Sequence, residues 1–206
     1  MLHKEILNSN QEALLPLISQ FKKEYYLVGG TAIALYLGHR RSIDFDLFKN
    51  ASLRRKRNLD IIAASGFPYR VTYNTAEQIN LVVSEVKVTF FRYEFPVQAV
   101  TKFEDVIKIP SLLDLAAMKA YALGRRSKWK DYVDLYYLLK DHFTIEEISV
   151  RAGQLFGELF SEKMFRIQLS YFDDVDYSEE VDYLISDPPK DEEIRHWLLQ
   201  IATSIL

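Results

Sequence analysis

The chain has no cysteine among its 206 residues. Disulfides, thiolate zinc sites and cysteine nucleophiles are therefore excluded, which fits a reducing compartment. It also lacks a long apolar run. The longest uncharged stretch, Tyr25 to Gly38, holds two central glycines and falls short of the ~20 residues a membrane helix needs. Met1-Leu2-His3-Lys4-Glu5 does not have the basic-then-apolar layout of a signal peptide. A cytoplasmic protein with no membrane partner is expected. Net charge is only −3, so any nucleic-acid binding must use a local patch rather than a global field. Internal repeats and low-complexity segments are absent.

The chain does hold 49% hydrophobic and 27% charged residues, with 13 Tyr and 13 Phe. That composition suits one large or two small globular domains around an aromatic-rich core. Periodicity predicts a helix over 2–22, a strand at Tyr25–Val28, a helix Thr31–Leu37 ended by Gly38, and a strand at Asp44–Phe48. A helix from Ser52 to Ser65 follows. A meander then runs through Tyr69–Tyr73, Ile79–Val83 and Val86–Phe91, with one more strand at Val97–Ile107. After Pro110 the pattern turns helical: Ser111–Leu123, Asp131–Lys140, Thr144–Phe156, Glu162–Leu169 and Glu192–Leu206. The expected fold is α+β, with an α/β core over 1–109 and a helical domain over 110–206 that completes the active-site cleft. Residues 173–193 carry ten Asp or Glu against one Lys and read as a solvated connection or a partner-binding surface.

Two segments concentrate the chemistry. In Tyr26-Leu27-Val28-Gly29-Gly30-Thr31 an apolar strand meets a glycine turn and a helix start. Backbone amides at a helix N-terminus attract phosphate, and glycine lets it come close. Asp44-Phe45-Asp46 then sets two carboxylates on one face of the next strand. Neighbours at i and i+2 share a cation readily, so Asp44 and Asp46 are candidate Mg²⁺ ligands. A metal-free carboxylate pair of the glycosidase type needs groups well apart. A solvated strand edge is the plain alternative. His39-Arg40-Arg41, between the two segments, suits either a phosphate or RNA contact or compensation of the aspartates.

In the helical half, Lys119 follows Leu115-Ala116-Ala117-Met118 and suits a point charge aimed at phosphate. Asp131 and Asp134 share a face of an otherwise apolar helix, where charges must be paired or line a cleft. Asp131 has a second reading as the helix cap. Four of the six residues from Arg125 to Lys130 are basic, an electropositive rim. The run Arg54-Arg55-Lys56-Arg57 reads as a solvated face or an RNA-backbone contact.

Together, Leu27-Val28-Gly29-Gly30-Thr31-Ala32, Gly38 through Phe48, and the block from Asp114 through Leu138 resemble the nucleotidyltransferase superfamily, specifically AbiEii/AbiGii-type toxin nucleotidyltransferases of bacterial abortive-infection systems. The resemblance implies a minimal nucleotidyltransferase core, a short mixed sheet with helices, followed by a helical bundle. It implies that Gly29, Gly30 and Thr31, with Lys130 and Asp131, bind nucleotide and that Asp44 and Asp46 hold Mg²⁺. It places Lys119 and Asp134 with them as catalytic residues. It also implies an NTP substrate, an acceptor hydroxyl on tRNA, another RNA or a protein, and an antitoxin partner. One departure stands out. The family commonly carries a third acid on a later strand, and Val86-Lys87-Val88-Thr89-Phe90-Phe91 has Thr89 there. A nucleotide-binding protein with weak catalysis, acting through a partner, is therefore the rival expectation. A purely structural partner protein is a third.

Overall fold

The structure is a computed structural model and describes residues 2–204. Its chain divides into two compact units, Met1–Ser111 and Leu112–Leu206.

The first unit contains α1 (Ser9–Ser19), β1 (Tyr26–Val28), α2 (Gly29–Leu37), β2 (Asp44–Lys49), α3 (Arg55–Ala64), β3 (Tyr69–Asn74), β4 (Gln78–Val83), β5 (Val86–Arg92), β6 (Ala99–Phe103) and β7 (Ile107–Pro110). The strands form one mixed sheet in the order β3-β4-β5-β2-β1-β7-β6. β2 runs antiparallel to β1 and parallel to β5, while β3, β4 and β5 form the expected meander. Several boundaries differ from the sequence pattern, among them the start of α2 at Gly29 rather than Thr31. The first helix begins only at Ser9, after a 3-10 turn at Lys4–Ile6. Asn8 sets that start with a capping box: Gln11 N donates to Asn8 Oδ1 at 2.9 Å and Asn8 N to Gln11 Oε1 at 3.1 Å. The α3 helix starts at Arg55 rather than after Ser52, with no side-chain cap. The expected strand 97–107 is two strands, because the chain turns at Glu104 with φ +48°.

Strand alternation gives the sheet two unlike faces. Phe45 and Leu47 of β2, Val88 and Phe90 of β5, and Ile79, Leu81 and Val83 of β4 are all buried on one of them. Phe21 and Tyr25 stand edge-on to Phe90, with ring centroids 4.8 and 5.2 Å away. Asn58 of α3 donates to the Tyr25 hydroxyl at 2.7 Å. This is the aromatic core that the composition implied. The other face holds the half-buried Asp44, Asp46 and Phe48 of β2; we call it the polar face.

The second unit is helical: α4 (Leu112–Leu123), α5 (Trp129–Asp141), α6 (Ile145–Phe156), α7 (Glu162–Leu169) and α8 (Asp191–Thr203). The last two residues of the expected C-terminal helix lie outside the described residues. The α4 helix packs against α5, α6 and α7, and α8 against α5 and α7. Thr144 caps α6 with a second capping box.

The acidic segment is not merely solvated. Glu179 takes Lys128 Nζ at 2.6 Å and Lys130 Nζ at 3.2 Å. Asp176 N donates to Ser127 O, and Trp129 N to Asp176 O. Ser127 Oγ reaches Asp174, and Trp129 Nε1 reaches Asp191 at 3.0 Å. The acids thus neutralise much of the rim expected at Arg125–Lys130.

Two outcomes follow from this packing. Phe90→Ala empties the centre of the aromatic cluster and is expected to cost about 3–5 kcal/mol, read as a lower melting temperature. The hydrogen bond from Lys128, with help from Lys130 and against the effect of burial, lowers Glu179 from its ordinary 4.5 to about 2. A lowered folded-state value stabilises above the unfolded value and fades as pH falls toward the folded one. The wild type should therefore melt above Glu179→Gln at pH 6, and the gap should close as pH drops through about 4.5 toward 2.

Candidate active site

The turn from β1 into α2 is shaped by what lies against it. Gly29 has φ +74°, and a Cβ there would collide with the Asp46 carboxylate. A methyl at Gly30 would stand 2.7 Å from Arg40 Nη2 and 3.0 Å from Ser42 Oγ. The two glycines therefore make room for an acid and a guanidinium of the protein itself, as well as leaving main chain accessible. Val28, the N-cap of α2, makes no side-chain cap bond, so no side chain from the cap occupies the amide end of this helix.

Thr31 is buried, and its hydroxyl donates to the Asp44 carbonyl and shares a hydrogen bond with Ser42 Oγ, 3.0 Å away. This residue braces the start of β2 from inside the fold, a positioning task that the sequence did not suggest. Arg40 is buried as well, with Nη1 donating to Arg41 O at 2.9 Å. Arg40 thus packs against the Gly30 main chain rather than standing on an outer surface.

Register completes the picture of the polar face. Val28 of β1 pairs with Asp46, and Asp46 pairs with Thr89 of β5. The threonine thus stands beside the second aspartate, where a third acid was expected. Among the described residues no group of three or more His, Cys, Asp or Glu is placed to hold a metal. Asp44 and Asp46 still supply two hard oxygen donors on one face. That fits a cation such as Mg²⁺, which keeps waters and binds through one or two carboxylates plus substrate phosphates. Two strand positions beyond Asp46, Phe48 packs on Phe91 and Tyr93, both with centroids 5.1 Å away.

The second unit gathers its charges into a separate cluster. Lys119 Nζ lies 2.6 Å from Asp131 Oδ1 and 2.9 Å from Asp134 Oδ2, all three buried. Arg126 closes a fork on Asp131, Nε to Oδ2 at 2.9 Å and Nη2 to Oδ1 at 3.2 Å. Two cations and two carboxylates balance, as buried charges require. Asp131 is not the helix cap: Lys128 holds that position and Asp131 sits in the first turn of α5. Lys130 is engaged by Glu179. Arg126, whose side chain is 53% exposed, is the member of the cluster most open to solvent. Reading the basic loop as an undivided patch did not single it out.

Gly29, Gly30, Thr31, Asp44 and Asp46 are thus brought together in the first unit, and Lys119, Asp131 and Asp134 in the second. The basic run Arg54–Arg57 serves another place: Arg54 and Arg57 pair with Glu24, and Arg55 reaches Asn74.

Known proteins match this chain in sequence and in fold. An uncharacterized protein of Aquifex aeolicus (strain VF5) is 31% identical over 147 residues, covering 68% of this chain and 69% of that protein. The nucleotidyltransferase toxin MenT4 from Mycobacterium tuberculosis H37Rv has a similar fold, with TM-score 0.63 and 15% identity over 94% of this chain and 80% of that one. JHP933 from Helicobacter pylori superposes with TM-score 0.56 and 16% identity over 98% of this chain and 92% of its own. The model of the family described as nucleotidyl transferase AbiEii toxin, type IV TA system, matches residues 17–197, and the chain belongs to that family of nucleotidyltransferases.

Proposed function

We propose that this nucleotidyltransferase moves a nucleotidyl group from an NTP to a hydroxyl of an RNA such as tRNA, in the cytoplasm, with Mg²⁺ as its cation and an antitoxin as its restraint. The observation that carries the reading is the Asp44–Asp46 pair on one face of β2, with Asp46 set against Gly29 at the amide end of α2. In the reaction the acceptor oxygen bonds to the α-phosphorus, the bond from α-phosphorus to the bridging oxygen breaks, and pyrophosphate leaves with the electron pair. The acceptor proton passes to a neighbouring carboxylate or to water.

The roles follow from the chemistry of each group. Asp44 and Asp46 would hold the cation, whose charge, when bound, offsets that of the triphosphate and the leaving pyrophosphate. The amides of Gly29 to Thr31 would take phosphate oxygens, with Thr31 holding the strand that carries Asp44. Arg40 limits repulsion between the two acids and an incoming polyanion. In the second unit, Asp131 and Asp134 orient Lys119, and Asp131 orients Arg126. Lys119 and Arg126 would then favour the developing negative charge without reorganising. Lys130 would join the nucleotide when it leaves Glu179.

Thr89 beside Asp46 favours a second reading, in which the chain binds NTP and acts through its partner with little transfer. Labelled NTP, Mg²⁺ and total tRNA separate the two. Label on RNA that falls at least about 100-fold in Asp46→Asn supports transfer. Binding of NTP with no label on RNA or protein supports the second reading, and absence of NTP binding sinks both. Lys119→Met should destabilise the protein by about 3–5 kcal/mol, because Asp131 and Asp134 lose their buried partner. Pairing it with Asp134→Leu should recover part of that loss in urea unfolding.

A further inference from the structure

The polar face does not stop at the carboxylates. On β5, Lys87 pairs in register with Asp44 and Thr89 with Asp46. On β4, Val82 faces Lys87 and Asn80 faces Thr89. On the edge strand β3, Arg70 faces Val82 and Tyr73 faces Asn80. Cross-strand partners project from the same side of a sheet. Two rows therefore cross it, Asp44-Lys87-Val82-Arg70 and Asp46-Thr89-Asn80-Tyr73. With strands about 4.8 Å apart, Tyr73 lies three spacings, ~14 Å, from Asp46.

Tyr73 reaches this face only because of an irregularity. Val71 pairs with the buried Leu81 on the core side, and plain alternation would put Tyr73 there too. The register shifts between Val71 and Tyr73, so Thr72 is an extra residue and Tyr73 turns to the polar side. Bulges re-aim side chains in this way. Tyr73 is 50% exposed. Arg70 and Lys87 are exposed on the same face, and neither makes an ion pair or side-chain hydrogen bond among the described residues.

We propose that these two rows form the track on which the single-stranded end of the acceptor RNA lies, with Lys87 and Arg70 on its phosphates, Asn80 on a base edge and Tyr73 stacked on a base. This rests on the nucleotidyl-transfer reading and adds where the acceptor binds. A stacking ring between unpaired cations suits a polynucleotide, since every base has a π-face and every linkage a charge. It leads to the carboxylates, where the terminal hydroxyl must arrive.

The test is fluorescence anisotropy of a short single-stranded RNA with a free 3′ hydroxyl across a salt series. NTP·Mg²⁺ binding by the wild type is measured alongside. Tyr73→Ala should weaken RNA binding about 10-fold while Tyr73→Phe stays near wild type. The double variant Arg70→Ala/Lys87→Ala should flatten the salt slope by about 1.4, near 0.7 per phosphate. Lys163→Ala, an exposed cation of the other unit, should change neither. RNA binding unaffected by the track variants, or lowered equally by Lys163→Ala, overturns the proposal. So does a wild type that binds NTP·Mg²⁺ but not RNA. If NTP·Mg²⁺ fails to bind as well, the transfer reading falls with it.

Discussion

The first unit depends on a close approach between two strands of opposite direction. Asp46 of β2 presses its carboxylate onto the position where any residue but glycine at 29 would place a side chain. The positive φ of Gly29, the start of α2 and the seating of Arg40 at Gly30 all belong to that contact. Thr31 then ties the head of β2 to the same helix through Ser42 and the Asp44 carbonyl. An acid, a cation and a helix terminus converge because the backbone is bare at two consecutive positions.

The sheet turns this local arrangement into a surface. Its core face is aliphatic and aromatic and is covered by Phe21, Tyr25 and α3. The hydrophobic effect fixes which side is buried, so a one-residue slip of β2 would drive Asp44 and Asp46 into the core. Packing thereby sets the direction of the carboxylates more firmly than any hydrogen bond to them. The second unit meets the opposite problem, three charges drawn inward, and answers it with pairing: Lys119 against Asp131 and Asp134, with the more exposed Arg126 closing on Asp131.

Much of this was legible in the residues, and what was not has identifiable causes. The Gly29-Gly30 turn, the Asp44-x-Asp46 spacing and the meander follow from local rules of turn chemistry and alternation, which need only neighbours in sequence. Thr89 was singled out through the resemblance, as the residue where the family carries a third acid, while its place beside Asp46 came only from strand register. The split of 97–107 into two strands was hidden, since Glu104 adopts a positive φ that its identity does not advertise. The ties of Glu179 to Lys128 and Lys130 were hidden for a different reason: about fifty residues separate the partners, and charge composition does not say which acids meet which bases. Arg70 and Tyr73 joined the polar face only through strand register and a bulge. Lys87, two residues before Thr89, was within reach of the alternation rule.

The bulge in β3 has a counterpart. At the opposite border of the sheet, β6 also breaks register, between Ala99 and Thr101, with Val100 exposed. Both outermost strands are therefore irregular, while the ladder of β2 on β5 between them is unbroken. An outermost strand with a continuous row of amides and carbonyls is a template on which another chain can add itself. Here each border offers a broken template. With Tyr69, Val71 and Tyr73 exposed on one such border, the register breaks oppose growth of the sheet from molecule to molecule.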